Sequence, residues 1–283
     1  MGIKKIGYIL GRRIRGDMEM DLDPETGLFG AIIGPGARIA ERPSQSYDEA
    51  SNTQNYRIGS RMMLDDRVFR YAMAGDTLCP GYGAKNTIPQ HVGFAAIGGC
   101  TEGEYTVVVT VGGTDGILGD GVIGEDELEG GYLVIFTPGN NAINRRVVGN
   151  TATTGAGPMT VTVDRPWPVD VADTEHAEIM ASPYLNVQTG HNPVASVMGM
   201  PTQIATVNQY IWIQTWGPVW IVPAGDVSVG DHNRSCVFGS NGGIFVYEPA
   251  DPGVMHQQFA GYVLCNARGG GQGAPFVQLM LSP

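Results

Sequence analysis

Lysine occurs only three times in the 283 residues, at Lys4, Lys5 and Lys85, and the other fourteen basic residues are arginines. Acidic residues outnumber basic ones 28 to 17, a net charge of −11. A chain that displaces counterions along phosphates carries the opposite balance, so no nucleic-acid partner is expected. Arginine's planar fork pairs carboxylates and desolvates more readily than an ammonium. The excess of Arg over Lys fits use at an interface, and equally fits the base composition of the coding DNA. Charged residues make up 16% of the chain, against a usual share of roughly a quarter. Beside 42% apolar residues, that is too little charge for a disordered acidic chain. Heptads of Ala, Glu, Lys and Leu are missing, which excludes a coiled coil or helical bundle. Glycine does not fall at every third position, which excludes collagen. No apolar run is long enough for a membrane helix, so no membrane partner is expected. The opening MGIKKIGYIL meets Arg12-Arg13 at once, too early for a signal peptide. Ile6 stands where myristoylation needs Ser or Thr. None of the four cysteines, Cys79, Cys100, Cys236 and Cys265, forms a Cys-x-x-Cys pair. A chain made in a reducing cytoplasm, with its cysteines as buried small hydrophobes, is expected.

What the sequence has in abundance is punctuation. Glycine numbers 42 and proline 18, the glycine share being about twice the usual ~7%. Between these breaks lie short runs rich in Val, Ile, Thr and aromatics: Tyr105–Val111, Gly131–Thr137, Arg145–Gly149, Met159–Val163, His176–Met180, Gly243–Tyr247, Gly261–Asn266 and Pro275–Leu281. Residues 56–75 read as a hairpin turning at Asp65-Asp66. IWIQTWGPVWIV reads as a second, with strands Tyr210–Thr215 and Val219–Val222 turning at Gly217-Pro218. Many short strands with turn residues between them predict an all-β chain of sandwich or barrel units. The best helix candidate is Val194–Met200, and Glu125–Glu129 is at most one turn. Residues 1–55 mix short apolar pieces with polar and Gly/Pro stretches, and read as an extended N-terminal arm. A boundary in the long connection 182–201 then divides the rest into a middle β domain (56–190) and a C-terminal β domain (191–283).

Chemical motifs are sparse. No Gly-x-Ser-x-Gly elbow surrounds Ser60, Ser182, Ser196 or Ser240. Gly34-x-Gly36, Gly81-x-Gly83 and the run from Gly269 to Gly273 lack the rest of a phosphate-binding fingerprint. His91 and Cys100 are too widely spaced for a structural zinc site. The alternating Asp17, Glu19, Asp21 and Asp23 would face one way on an extended chain, which calls for a cation or an Arg-rich partner. A second acidic cluster runs from Asp115 and Asp120 through Glu125, Asp126, Glu127 and Glu129, and reads as a solvated loop. No metal and no cofactor is assigned. Trp212 and Trp216 are an even number apart and would share one strand face. With Trp220 they offer either a sugar platform or packing in a core or interface.

Several phrases stand in a recognisable order: YRIGSRMMLDDRVFRYAMAG, GGYLVIF, RRVVGNT, MTVTVDRPWPVDV, QYIWIQTWGPVWIV and GYVLCNARGGGQGAPFVQLML. In this order, over residues 56–283, the chain resembles tailed-bacteriophage capsid decoration (cement) or minor head proteins. The resemblance implies a β-rich, non-enzymatic virion protein on the capsid surface, with the major capsid protein as partner and often trimeric about a symmetry axis. No catalytic residue is carried over. Arm residues Ile6, Tyr8, Leu28 and Phe29 are then expected as contacts, Arg12 and Arg13 as ion-pair formers, and Trp212 and Trp216 as further interface positions. Removal of residues 1–55 is expected to abolish binding and spare the β domains. A tail, baseplate or head-fibre component and a carbohydrate-binding β protein are the competing readings.

Overall fold

The computed structural model describes residues 45–86, 91–138, 141–190, 195–224, 234–247, 257–265 and 275–283, with the backbone of four short strands before residue 45. The first stretch of chain carries β1 (Tyr8–Ile9), β2 (Arg12–Arg13), β3 (Met20–Leu22), β4 (Phe29–Ile33), β5 (Arg61–Leu64), β6 (Arg67–Met73) and β7 (Ala84–Lys85). The second carries β8 (Val92–Ala96), β9 (Thr106–Val111), β10 (Val122–Ile123), β11 (Tyr132–Thr137), β12 (Asn141–Asn150), β13 (Thr153–Thr154), β14 (Gly157–Val163) and β15 (His176–Met180). The third carries β16 (Gln188–Thr189), β17 (Val197–Pro201), β18 (Tyr210–Trp220), β19 (Ser235–Phe238), β20 (Ile244–Val246), β21 (Phe259–Cys265) and β22 (Phe276–Met280). The chain is all-β, with curled sheets that form half-barrel and near-barrel units, and no helix occurs among the described residues.

The division of the chain differs from the expected one. Residues 1–85 and 188–283 form one unit and residues 86–187 another. The hairpin β5–β6 does not open a middle domain. It pairs instead with β18, with Tyr71 opposite Trp212 and Ala72 opposite Ile211. Partners so far apart in sequence leave no local signal, so a boundary at residue 55 was the natural reading. The second unit leaves at Lys85 and returns at Gln188, which face each other across β7 and β16.

In that second unit the strand order is β8-β15-β11-β12-β14-β9. Its two edges meet through an Ile97–Val109 bridge and the Gly98 N–H donating to Val108 O at 2.8 Å. Strict alternation fills the interior: Val107, Val109 and Val111 point in from β9, and Leu133 and Ile135 from β11. Trp167 is buried with them, its indole N–H donating to Thr106 O at 2.9 Å.

In the first unit the sheet runs β20-β19-β21-β22-β18-β6-β5-β4-β3. The expected hairpin turn at Asp65-Asp66 is present. Leu64 faces Arg67 across it, and Asp65 takes φ 52°, as a two-residue hairpin loop requires. Two other expectations fail. Val197–Pro201 is strand β17, not helix, and Gly199 lets it close on β18, because a Cβ there would lie 2.8 Å from Ile213 Cγ1. Gly217-Pro218 is not a turn either: β18 is one strand of 11 residues. Gly217 takes φ +97°, and a Cβ on it would meet the Asp66 carbonyl at 2.5 Å. Pairing with β6 ends at Trp216, so Pro218 sits where no donor is needed on that side.

The expected arm is also shorter than residues 1–55. β4 pairs with β5, and the segment from Gln45 lies against β6 and β18. Gln45 donates to Tyr210 O at 2.7 Å, and its Oε1 accepts from the Tyr71 hydroxyl at 2.6 Å and from Asn55 Nδ2 at 3.1 Å. Tyr56, Tyr71, Tyr210 and Trp212 pack as an aromatic group beneath this cover, with ring centroids 4.9–6.0 Å apart. Burial drives the Tyr71 phenol well above its ordinary value. Its proton is thereby retained as a donor to Gln45.

Candidate functional site

The two tryptophans expected to share a face do not. Trp212 stands opposite Tyr71, whereas Trp216 stands opposite Val68, with the register shifting between Gln214 and Trp216. Tyr71 and Val68 are three residues apart on β6, so the two tryptophans point to opposite faces. Trp212 is fully buried, and its indole N–H donates to Gln45 O at 3.3 Å. It is a core residue, and the proposed interface or sugar-platform role is withdrawn for it.

Trp216 belongs to a different surface. On β18, β22 and β21 the registers align Trp216 with Met280, Pro218 with Gln278 and Tyr262, and Trp220 with Phe276. Alternate residues Val277 and Leu279 fill the core, so Phe276, Gln278 and Met280 face out. Trp220, Tyr262, Leu264, Phe276 and Met280 each keep between 37 and 45% of their surface exposed. No charged side chain occurs on these aligned rows, and Gln278 is the polar group at their centre. Trp220 is held from beneath: a Cβ at Gly81 would lie 2.5 Å from its ring. That close approach, and not phosphate binding, is what Gly81 serves. Single exposed apolar residues are ordinary, whereas larger contiguous apolar faces are where interaction sites are commonly found.

Other candidates resolve into structural roles. Asp115 accepts from the Gly93 and Gly112 N–H groups, Asp120 from Val122, and Asp126 from Asn150. The second acidic cluster is thus largely a set of turn caps. Among the described residues no group of three His, Cys, Asp or Glu is placed to hold a metal ion. His91 is buried and lies 3.3 Å from Glu127 Oε1. Burial pushes the Glu127 carboxyl up, but hydrogen bonds from His91 and the Gly124 N–H, with the His91 charge, carry it below its ordinary value. Burial raises the Cys100 thiol to about 11 and the Cys236 thiol to about 12. Both are buried small hydrophobes as expected, whereas Cys79 is only partly buried and Cys265 is exposed, against that expectation.

Of the expected arm contacts, Ile6 and Leu28 lie outside the described residues, as do Asp17, Glu19 and Asp23 of the alternating acids. Tyr8 pairs with Arg13 and Ile9 with Arg12 along the β1–β2 backbone, and Phe29 opens β4 opposite Leu22. The side chains of Tyr8, Arg12, Arg13 and Phe29 lie outside the described residues.

Comparison with protein-family models, with curated proteins and with solved structures finds no match. The reading of function therefore rests on the residues themselves. The outward positions Tyr262, Leu264, Phe276 and Met280 were missed as site residues. Their signal was present as alternation on either side of Val263, Val277 and Leu279. A strand apolar on both faces reads as one buried on both faces, and only the folded sheet reveals which side is open.

Proposed function

We propose that the chain is a non-enzymatic virion structural protein that docks on the outside of a phage capsid and bridges capsomers. It acts as a homo-oligomer, with a trimer fitting a symmetry axis of the lattice. The observation that carries the docking part is the uncharged aromatic face of Trp216, Trp220, Tyr262, Phe276 and Met280. Trp and Tyr dominate binding hot spots because they bury large area with few rotors to fix. Weak contacts repeated across several subunits multiply into avidity. The phage assignment itself comes from the segment order over residues 56–283.

The test is co-sedimentation of the purified chain with capsids lacking it. Trp220→Ser and Phe276→Ser are expected to stay folded and lose binding at least about tenfold each, as hot-spot residues do. Retained binding by both would refute the docking face. Mass spectrometry of separated heads and tails distinguishes a capsid role from a tail or baseplate role. The aromatic face also gives a specific ground for carbohydrate binding, through Trp216 and Trp220, and glycan-array binding lost in Trp220→Ser would favour that reading instead.

A further inference from the structure

Charge is divided very unevenly along this chain. Residues 86–187 carry thirteen acidic side chains against three arginines, Arg145, Arg146 and Arg165, so the second unit holds −10 of the chain's net −11. The opposite extreme is residues 1–16, which contain Lys4, Lys5, Arg12, Arg13 and Arg15 and no acid. On the second unit, one outward patch combines aromatic rings with a carboxylate. His176 and Glu178 on β15 face out, alternating with the buried Ala177 and Ile179. On β11, Phe136 stands opposite His176 and Val134 opposite Glu178. On the other side of β15, β8 bulges between the partners of Ala177 and Ile179, which sets Gly93 and Phe94 against Glu178. Phe94 takes φ 39° in this bulge, a backbone that bulky residues seldom adopt, and bulges re-aim side chains. Its ring stacks on His176 with centroids 4.4 Å apart and lies 6.0 Å from Phe136. It keeps 61% of its surface exposed, so the conformation does not serve the core. Glu178 makes no hydrogen bond or ion pair with a described residue.

We propose that Phe94, Phe136, His176 and Glu178 form an arginine-binding site, and that its occupant is the basic segment 1–16 of a second copy of the chain. A guanidinium stacks on an aromatic face and pairs a carboxylate with the same planar fork. The exposed Phe94 ring supplies the face and Glu178 the carboxylate. Arg12, Arg13 and Arg15 supply the cation, and the opposite charges of segment and unit steer the two together. The second copy as source rests on the homo-oligomer reading; the site for a guanidinium does not. A segment of one copy on a different surface of the next is a heterologous contact, which closes into a ring such as the proposed trimer.

Light scattering over a concentration series tests the contact in the full chain. Three variants are compared with it: Phe94→Gly, Glu178→Gln and removal of residues 1–16. Glycine adopts the backbone of position 94 freely, and β1 and β2 pair only with each other, so both larger sheets are expected to persist. Each variant is expected to raise the concentration at which the oligomer dissociates by at least about tenfold, as loss of a hot spot does. A labelled peptide of residues 1–16 is expected to bind the chain lacking that segment, more weakly at high salt, and at least about tenfold more weakly when that chain carries Phe94→Gly. An oligomer unmoved by all three variants would overturn the contact and leave the homo-oligomer reading standing. Peptide binding indifferent to Phe94→Gly would overturn the site. A full chain that stays monomeric, with Phe94-dependent peptide binding intact, would sink the homo-oligomer reading and the second copy with it, and keep the guanidinium site.

Discussion

Glycine positions in this protein differ sharply in what they tolerate. Gly261 takes φ +147°, and any Cβ there would collide with the Gln278 carbonyl across β21 and β22. Gly261→Ala is therefore expected to cost about 3 kcal/mol, combining strain with a steric shift, as read by urea denaturation. Gly113 has open space around its Cβ position, and Gly113→Ala is the control expected to change little. Glu127 gives a second residue-scale test. Its carboxyl is held below the ordinary value in the folded state. The stability it contributes is thus present above the normal carboxylate range and lost as pH falls through the depressed value. Glu127→Gln is expected to flatten the acid limb of a stability-against-pH curve without moving the neutral plateau's shape. The two tryptophans of β18 separate on the same scale. Trp212→Ala is expected to cost about 3–5 kcal/mol, as buried aromatic truncations do, and Trp220→Ser about 1 kcal/mol or less, as partly exposed positions do.

At the scale of elements, strand identity was legible in the sequence and strand geometry was not. His176–Met180 is the strand the pattern marks out, and Phe276–Met280 and Thr106–Val111 differ from expectation only at their ends. Their alternation of β-branched and polar residues is a local property, and local reading finds it. The bulge after Gln214 is not local. It is set by how β18 meets β6, and it inverts every face assignment downstream. Trp212 and Trp216 consequently swapped their relation, and the candidate site moved from Trp212 to residues on β21 and β22. Gly217-Pro218 misled for a related reason: the dipeptide is a turn signal by composition, yet here it accommodates the nearby Asp65-Asp66 turn. The segment from Gln45 offers a test at this scale. Gln45→Ala leaves the Tyr71 hydroxyl without its acceptor, and is expected to destabilise by about 1–3 kcal/mol with loosened near-ultraviolet aromatic signal.

For the whole molecule, the main departure from sequence reading is that one unit is interrupted by another. A boundary near residue 190 was anticipated and falls close to Gln188, whereas the one at residue 55 has no counterpart and the true break follows Lys85. Composition does not change at Lys85, because both units are built from the same short strands. Since Ala84 and Lys85 pair with Thr189 and Gln188, excision of residues 86–187 with a short Gly linker is expected to leave the first unit folded. Cooperative melting and an unchanged tryptophan spectrum for Trp212 would be the readout. Deletion of residues 1–55, by contrast, removes β4 and the Gln45 cover and is expected to unfold the first unit, not merely to detach it from a partner. Light scattering on the intact chain, with and without EDTA, measures the oligomer directly, and a stable monomer in both would count against a preformed trimer.

The interruption also sets an order of events during synthesis. β6 leaves the ribosome with its aromatic side chains made, but its partner β18 begins at Tyr210, so 136 residues lie between Met73 and the strand that covers it. At ordinary elongation rates that wait is roughly 7–27 s. The inserted unit, whose strands pair only among themselves, completes first. Throughout that interval Phe69 and Tyr71 lack the sheet that buries them, so nascent chains stalled between residues 190 and 209 should recruit holdase chaperones, and chains stalled past residue 283 on a linker should release them.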